Sequence, residues 1–263
     1  MIRTAVTGAS GRMGRFIIEN IVKAENMELS AAFDVFNTGK DAGELASVGN
    51  LDVPISDVKD LQKVLKESNT DVLIDFTIAA ATVENAPLVA ECGVDLVIGT
   101  TGFSDEQKEI ILDSIRKNNV SGIISPNYSI GVNVFFSILK EAAKYLGDYD
   151  IEVIEAHHNQ KKDAPSGTAL GAANAISEVL GSKEYVYGRD GLAPRGKEIG
   201  IHAVRGGDIV GDHTVLFAGD GERIEIKHQA HSRQMFAKGA VKAAEWIGNA
   251  ESGIYTMNDI LGL

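Results

Sequence analysis

The segment Gly8-Ala9-Ser10-Gly11-Arg12-Met13-Gly14 constrains the fold more than any other. It lies between a short apolar strand pattern, Ile2 to Thr7, and a helical pattern that begins at Arg15 and Phe16 and continues through Ile17, Ile18, Ile21 and Val22. A strand, a glycine turn and a helix in that order let backbone approach a pyrophosphate, with the helix N-terminus facing it. A second strand pattern, Leu29 to Phe33, ends at Asp34, where an acidic side chain can accept hydrogen bonds from an adenosine ribose. A glycine turn alone serves many connections. Strand, turn, helix, strand and terminal acid together point to a nucleotide cofactor.

The alternation continues. Strand patterns at Asp71–Phe76, Val94–Ile98 and Val120–Ser125 are separated by helical stretches near Val58–Glu67, Thr82–Cys92 and Asp105–Lys117. This predicts a parallel sheet covered on both faces, an α/β fold of the Rossmann, doubly wound type. After Ser125 the pattern changes. A long helix is expected at Ile130–Leu146, a strand at Ile151–Ala156, and a helix from about Ser166 to Leu180. A loop should cover Gly181–Gly196, with strands at Ile199–Val204, Thr214–Ala218 and Arg223–His228. Consecutive strands without helices between them imply a mixed or antiparallel sheet in a second, α+β domain. The amphipathic helix Phe236–Ile247 is expected to return to the first domain. The expected division is therefore residues 1–128 with 236–263 for the dinucleotide, and 129–235 for substrate binding and oligomerisation.

Glu155 to Ala169, EAHHNQKKDAPSGTA, concentrates donors and positive charge in a chain whose net charge is -12. His157 and His158 end an apolar strand, and neighbours on a strand face opposite ways, so at most one of them should point into a core. Lys161 lies four residues past His157, close enough for a turn to bring both to one site. The Pro-Ser-Gly-Thr step should open a helix whose unpaired amides bind anions. The alternative is a solvated connection before a capped helix. The spacing favours a site for a small anionic substrate that is protonated where it binds.

Two further loops belong at the carboxyl ends of parallel strands, where open α/β sheets bind ligands. They are Gly99-Thr100-Thr101-Gly102 and Ser125-Pro126-Asn127-Tyr128, whose hydroxyls, amide and backbone suit a nicotinamide ribose and carboxamide, although such residues also favour ordinary turns. Asp34 would repel a 2′-phosphate, while Arg12 in the glycine turn could meet one. Both NADH and NADPH are therefore expected to serve, with NADH preferred. The acidic balance argues against nucleic acid and anionic membranes as partners. The lone cysteine, Cys92, allows no intramolecular disulfide, which fits a cytoplasmic setting. It falls in a helical pattern and reads as core. His228 and His231 lack a third metal ligand nearby, so no metal is expected. His202 and His213 read as sheet or loop residues, and Arg205-Gly206-Gly207-Asp208 as a turn.

Together GASGRMG, DVLIDFT, VIGTTGF, SPNYSIGVNV, EAHHNQKKDAPSGTA and VRGGDIVGDHTV closely resemble the dihydrodipicolinate reductase family, in that family's order and over almost the whole chain. The resemblance implies NAD(P)H-dependent reduction of a cyclic imine dicarboxylate in diaminopimelate and lysine synthesis, and a homotetramer built by the sheet of the second domain. It implies His157 and Lys161 as catalytic residues. For substrate binding it implies His158, Gly167 and Thr168, and for the cofactor Gly8 to Met13, Asp34, Gly99 to Thr101 and Ser125 to Tyr128. Val35 stands where some members carry an arginine, which speaks against strong NADPH preference. Lys161 is expected to donate the proton with His157 assisting, although the reverse assignment is open. A short-chain dehydrogenase would need Tyr followed four residues on by Lys, and none of the six tyrosines is so followed. A thioester-forming dehydrogenase would need a reactive cysteine. A non-catalytic NAD(P) sensor would not need the His157/Lys161 pair.

Overall fold

The computed structural model describes residues 1–263. It divides into two units, Met1–Ser129 with Gln234–Gly262, and Ile130–Arg233 with Leu263. In chain order the first unit supplies β1 (Ile2–Thr7), α1 (Arg12–Lys23), β2 (Met27–Phe33), α2 (Ala42–Leu45) and β3 (Ile55–Ser56). A 3-10 turn, Val58–Asp60, leads into α3 (Leu61–Glu67), β4 (Val72–Asp75), α4 (Ala79–Glu91), β5 (Asp95–Ile98), α5 (Asp105–Asn118) and β6 (Gly122–Ile124). The second unit holds α6 (Ile130–Leu146), β7 (Asp150–His157), α7 (Gly167–Leu180), β8 (Tyr185–Tyr187), β9 (Ile199–Arg205), β10 (Gly211–Gly219) and β11 (Glu222–Ala230). Helix α8 (Gln234–Ile247), β12 (Ile254–Tyr255) and α9 (Met257–Leu261) complete the first unit.

The first unit is a seven-stranded, all-parallel sheet in the order β12-β6-β5-β4-β1-β2-β3. Every residue of β4 is buried, as a strand covered on both faces must be. One face carries Ile17, Ile18 and Ile21 of α1 with Ala240, Ala244 and Ile247 of α8. The other carries Val89 and Ala90 of α4 with Ile111 and Ile115 of α5. Strand β1 lies between β2 and β4, so the chain reverses direction across the sheet there. The carboxyl ends of β1 and β4 therefore border the crevice in which such sheets bind ligands. Helix α1 begins at Arg12, three residues earlier than the apolar pattern indicated. No helix is long and apolar enough to cross a membrane.

The second unit is a mixed sheet in the order β11-β10-β7-β9-β8. Strands β7, β8 and β9 run parallel, and β10 runs antiparallel to both β7 and β11. Strand β7 alternates strictly. Ile151, Val153, Glu155 and His157 are buried, while Asp150, Glu152, Ile154 and Ala156 are more exposed. Ile151 and Val153 pack with Phe135 and Leu139 of α6 and Ala172 and Ile176 of α7. Gly181–Gly196, expected as loop, contains β8, whose three residues are too few to show a period.

Candidate active site

At the carboxyl end of β1, Gly8 adopts φ +74°, and a Cβ there would lie 2.7 Å from the carbonyl oxygen of Phe76. A Cβ on Gly14 would fall 2.2 Å from the Gly8 carbonyl oxygen. Glycine at both positions is what lets α1 start so close to the turn. Its N-cap, Gly11, supplies no side-chain hydrogen bond, which leaves first-turn amides for a ligand. Ala9 is buried core, and its amide donates to the Phe33 carbonyl, so it can offer only backbone to a cofactor. Met13 also packs partly into the core.

Asp34 draws the end of β2 toward the glycine turn. One of its oxygens accepts the Ser10 amide at 2.9 Å and the other the Phe36 amide at 3.0 Å. Each keeps acceptor capacity for a ribose hydroxyl. A groove of about 1170 Å³ runs along this end of the sheet, lined among others by Gly8, Gly11, Asp34, Lys59, Lys63 and Phe76. Arg12 is exposed and does not line it. The basic residues that do are Lys59, in the middle of the 3-10 turn, and Lys63 of α3. Their sequence segment carries no motif, and only the fold brings them to the groove.

The two further loops expected to meet the cofactor offer less side chain than their composition indicated. The Thr100 hydroxyl is buried and donates to Asp75 at 2.7 Å. The Ser125 hydroxyl donates to the Asn127 carbonyl within its own loop at 3.0 Å. Tyr128 is core, its hydroxyl directed to the carbonyls of Ile98 and Ile123 at 2.9 and 3.3 Å. These hydroxyls are committed because strand ends leave carbonyls and carboxylates that must be satisfied internally. Beside the backbone of these residues, Thr101 and Pro126 are the more exposed positions, while the Asn127 side chain accepts the Ser129 amide at 2.9 Å.

In the second unit His157 closes β7 with its side chain 11% exposed, and His158 follows the strand half-buried. His157 Nδ1 lies 2.6 Å from Oε2 of Glu155, which is wholly buried. The Arg205 guanidinium donates to both Glu155 oxygens, at 2.8 and 2.9 Å, and the Ser166 amide donates to Oε1 at 3.0 Å. Burial by itself would push the Glu155 carboxyl up. The bonds from Arg205, His157 and Ser166 outweigh it and hold the carboxyl below the usual glutamate value.

Beyond the strand the Lys161 amide donates to the His158 carbonyl, closing a turn. The Lys161 ammonium donates to both oxygens of Asp163, at 2.9 and 2.8 Å. That bond is the main reason the Asp163 carboxyl is held below its ordinary value. The chain then passes through a cis Ala164–Pro165 bond to Ser166, which caps α7 by accepting the Ala169 amide at 3.1 Å. Gly167 and Thr168 are the first two residues of that helix, and a Cβ on Gly167 would meet nothing within 4 Å. The structure thus brings His157, His158, Lys161, Gly167 and Thr168 onto one strand end, one turn and one helix start. Within the first unit, Gly8, Ser10, Gly11 and Asp34 line the groove at the carboxyl end of β1.

Comparison with known proteins settles the family. Residues 2–128 match the model described as dihydrodipicolinate reductase, N-terminus, and residues 131–261 the one described as dihydrodipicolinate reductase, C-terminus. The chain belongs to the dihydrodipicolinate reductase family. It is similar to 4-hydroxy-tetrahydrodipicolinate reductase of Methanococcoides burtonii, 73% identical over 262 residues that span all of both chains. The enzyme of that name from Methanocaldococcus jannaschii is 56% identical over 269 residues, covering all of this chain and 98% of the relative. Among solved structures, dipicolinate-bound dihydrodipicolinate reductase from Paenisporosarcina sp. TG-14 matches with TM-score 0.79 and 31% identity, covering 97% of each chain.

As a member of this reductase family the protein is an oxidoreductase that uses a nicotinamide dinucleotide. Sequence reading missed four side chains around its histidine: Glu155, Ser166, Arg205 and His213. Glu155 passed as a strand residue, Ser166 as part of a helix-opening step and Arg205 as part of a turn. His213, buried on β10, places its ring edge-on 5.1 Å from that of His157. The usable signal for Glu155 was its period-two spacing from His157, which puts both side chains on one face.

Proposed function

We propose that this chain reduces a dihydrodipicolinate-type cyclic imine dicarboxylate to tetrahydrodipicolinate in diaminopimelate and lysine synthesis, with His157 and Lys161 as the proton-handling residues. The observation that carries the reading is that an imidazole, an ammonium and the start of α7 follow one another in the segment that closes β7. The family relative solved with dipicolinate, a planar ring bearing two carboxylates, supports the same substrate class.

Bound NADH or NADPH supplies the hydride. The chain must then handle the negative charge and deliver a proton. Lys161 lies one turn past His158 and carries its proton as an ammonium paired with Asp163. It is the donor in this proposal, and a substrate carboxylate competing for Asp163's place would draw it in. His157 assists, through the nitrogen that Glu155 does not hold. Substrate carboxylates are met by His158 and by the amides of Gly167 and Thr168 at the start of α7, where the helix dipole favours negative charge. The protein contributes position and charge.

NADH is the preferred cofactor in this proposal, because Asp34 lines the groove and a 2′-phosphate beside it would be repelled. NADPH is still accepted, through Lys59 and Lys63 rather than Arg12. A homotetramer is also proposed, resting on the open face of the second sheet. There Ile154 and Val204 are well exposed and lie on strands paired to each other. The cytoplasm, where reduced nicotinamide is supplied, is the proposed setting.

The test is spectrophotometric. Purified protein with NADH is given the condensation product of pyruvate and aspartate semialdehyde. The absorbance of reduced nicotinamide should fall in proportion to substrate added. A flat trace with either cofactor overturns the proposal.

A further inference from the structure

We infer that Glu155 and Arg205 are positioning residues of this reductase, acting through His157 to fix which ring nitrogen carries the hydrogen. The inference rests on the reading that His157 takes part in proton delivery. Three geometric facts carry it.

First, Glu155 and His157 stand two apart on the buried face of β7, and Arg205 of β9 is the registered partner of His157. Strand period and register together deliver three charged or polar groups to one point. Second, the carboxylate is saturated. Oε2 meets His157 Nδ1 and Arg205 Nη1, while Oε1 accepts from Arg205 Nη2 and the Ser166 amide. A carboxylate only accepts, so the hydrogen between it and the ring sits on Nδ1. Nε2 is then the nitrogen left to take or give a proton. Third, Nε2 has been given room. A Cβ on Gly211 would lie 3.0 Å from it, so any side chain at that position would press on the ring.

Arg205 has a distinct part. Its fork holds both Glu155 oxygens, so the carboxylate presents Oε2 to the ring in a fixed place. The same guanidinium donates to the Asp163 carbonyl at 2.6 Å, which ties the Lys161–Asp163 turn to the histidine. The other titratable neighbours are few. His213 on β10 faces the His157 ring edge-on, and His228 on β11 is the registered partner of His213. Burial, with His157 beside it, lowers His213 to about 4, so it adds no charge near neutrality. Asp212 adjoins His213 on β10, and His158 adjoins His157 in the chain.

The test begins with the wild-type apoprotein, labelled with nitrogen-15, in which long-range proton–nitrogen spectra report the tautomer of His157. The Nδ1–H form is expected. In Glu155→Gln the amide oxygen keeps Arg205 Nη2 and the Ser166 amide, while the NH2 group gives up Arg205 Nη1 and donates to Nδ1. The ring should invert to Nε2–H, and turnover should fall about a hundredfold or more while the NADH dissociation constant stays within about twofold. Arg205→Lys keeps the charge and loses the fork. It should retain Nδ1–H and lose less turnover than Glu155→Gln.

An Nε2–H ring in the wild-type protein overturns the inference without any variant, even if Glu155→Gln does not fold. So does a Glu155→Gln variant that inverts the tautomer yet turns over normally. His157→Gln separates the two readings. Near-normal turnover in that variant removes His157 from the reaction and ends the underlying proposal, whatever the tautomer spectra show.

Discussion

Ser166 Oγ lies 3.0 Å from Nε2 of His213 while it accepts the Ala169 amide at 3.1 Å. The N-cap of α7 is thereby fastened to the middle strand of the β7–β10–β11 ladder. The oxygen is already an acceptor, so its hydrogen is free for the ring, which is buried and whose Nδ1 has no partner.

A charged His213 is poorly tolerated. Burial and the neighbouring His157 lower it from 6.5 to about 4. The unfolded chain therefore binds a proton between those values that the folded protein does not. Stability from this group is complete above about pH 6.5 and drains as pH falls toward 4, by at most about 3 kcal/mol. His213→Gln should lose less stability than wild type between pH 7 and pH 5 in urea unfolding. Parallel losses in the two proteins would exclude His213 as the cause.

Asp95 titrates in the opposite sense. Burial, with Asp71 adding repulsion, pushes its carboxyl up from 3.8 to about 6, although it accepts the Ser121 amide at 2.6 Å. Here the folded state binds the extra proton, so the ionised form weakens the fold as pH rises through 6. Asp95→Asn keeps an acceptor for Ser121 and removes the charge. Its unfolding midpoint should exceed that of wild type at pH 8, and the gain should shrink by pH 5. No gain at pH 8 would show that solvent already relieves the carboxylate.

The Lys161 ammonium binds Asp163 within the second unit, and in the proposed function it is the proton donor. Lys161→Ala should reduce kcat by roughly 10²–10⁴-fold, the range of general acid–base catalysis, with NADH affinity unchanged in fluorescence titration. Turnover near that of wild type would take Lys161 out of the mechanism.

The cofactor groove makes a prediction about phosphate. Lys59 is highly exposed, its only ion pair a loose one to Asp57 at 3.8 Å. Replacing Lys59 and Lys63 by alanine should weaken NADPH by roughly three- to tenfold at low salt and leave NADH nearly untouched. Equal weakening of both cofactors would mean that these lysines do not meet the 2′-phosphate.

Legibility followed sequence separation. The parallel sheet could be read because each of its units has its own signal within about thirty residues: an apolar run, a turn and an amphipathic helix. Strands β3, β8 and β12 escaped notice because two or three residues show no period. The site divided in the same way. His157, Lys161 and Thr168 were visible because one short segment holds them all. Arg205 was not, because it reaches Glu155 across fifty positions. The hydroxyls of Thr100, Ser125 and Tyr128 looked like cofactor ligands in sequence, and the fold turns them inward to satisfy its own acceptors.

By itself, then, the amino-acid order determined the two sheets, the glycine turn and the basic loop, since periodicity and turn chemistry act between near neighbours. Only tertiary structure decided which side chains complete the histidine's surroundings, which lysines line the dinucleotide groove and which hydroxyls remain available. Those outcomes depend on strand register and burial, and a buried polar group must find its partner wherever the packed chain puts one.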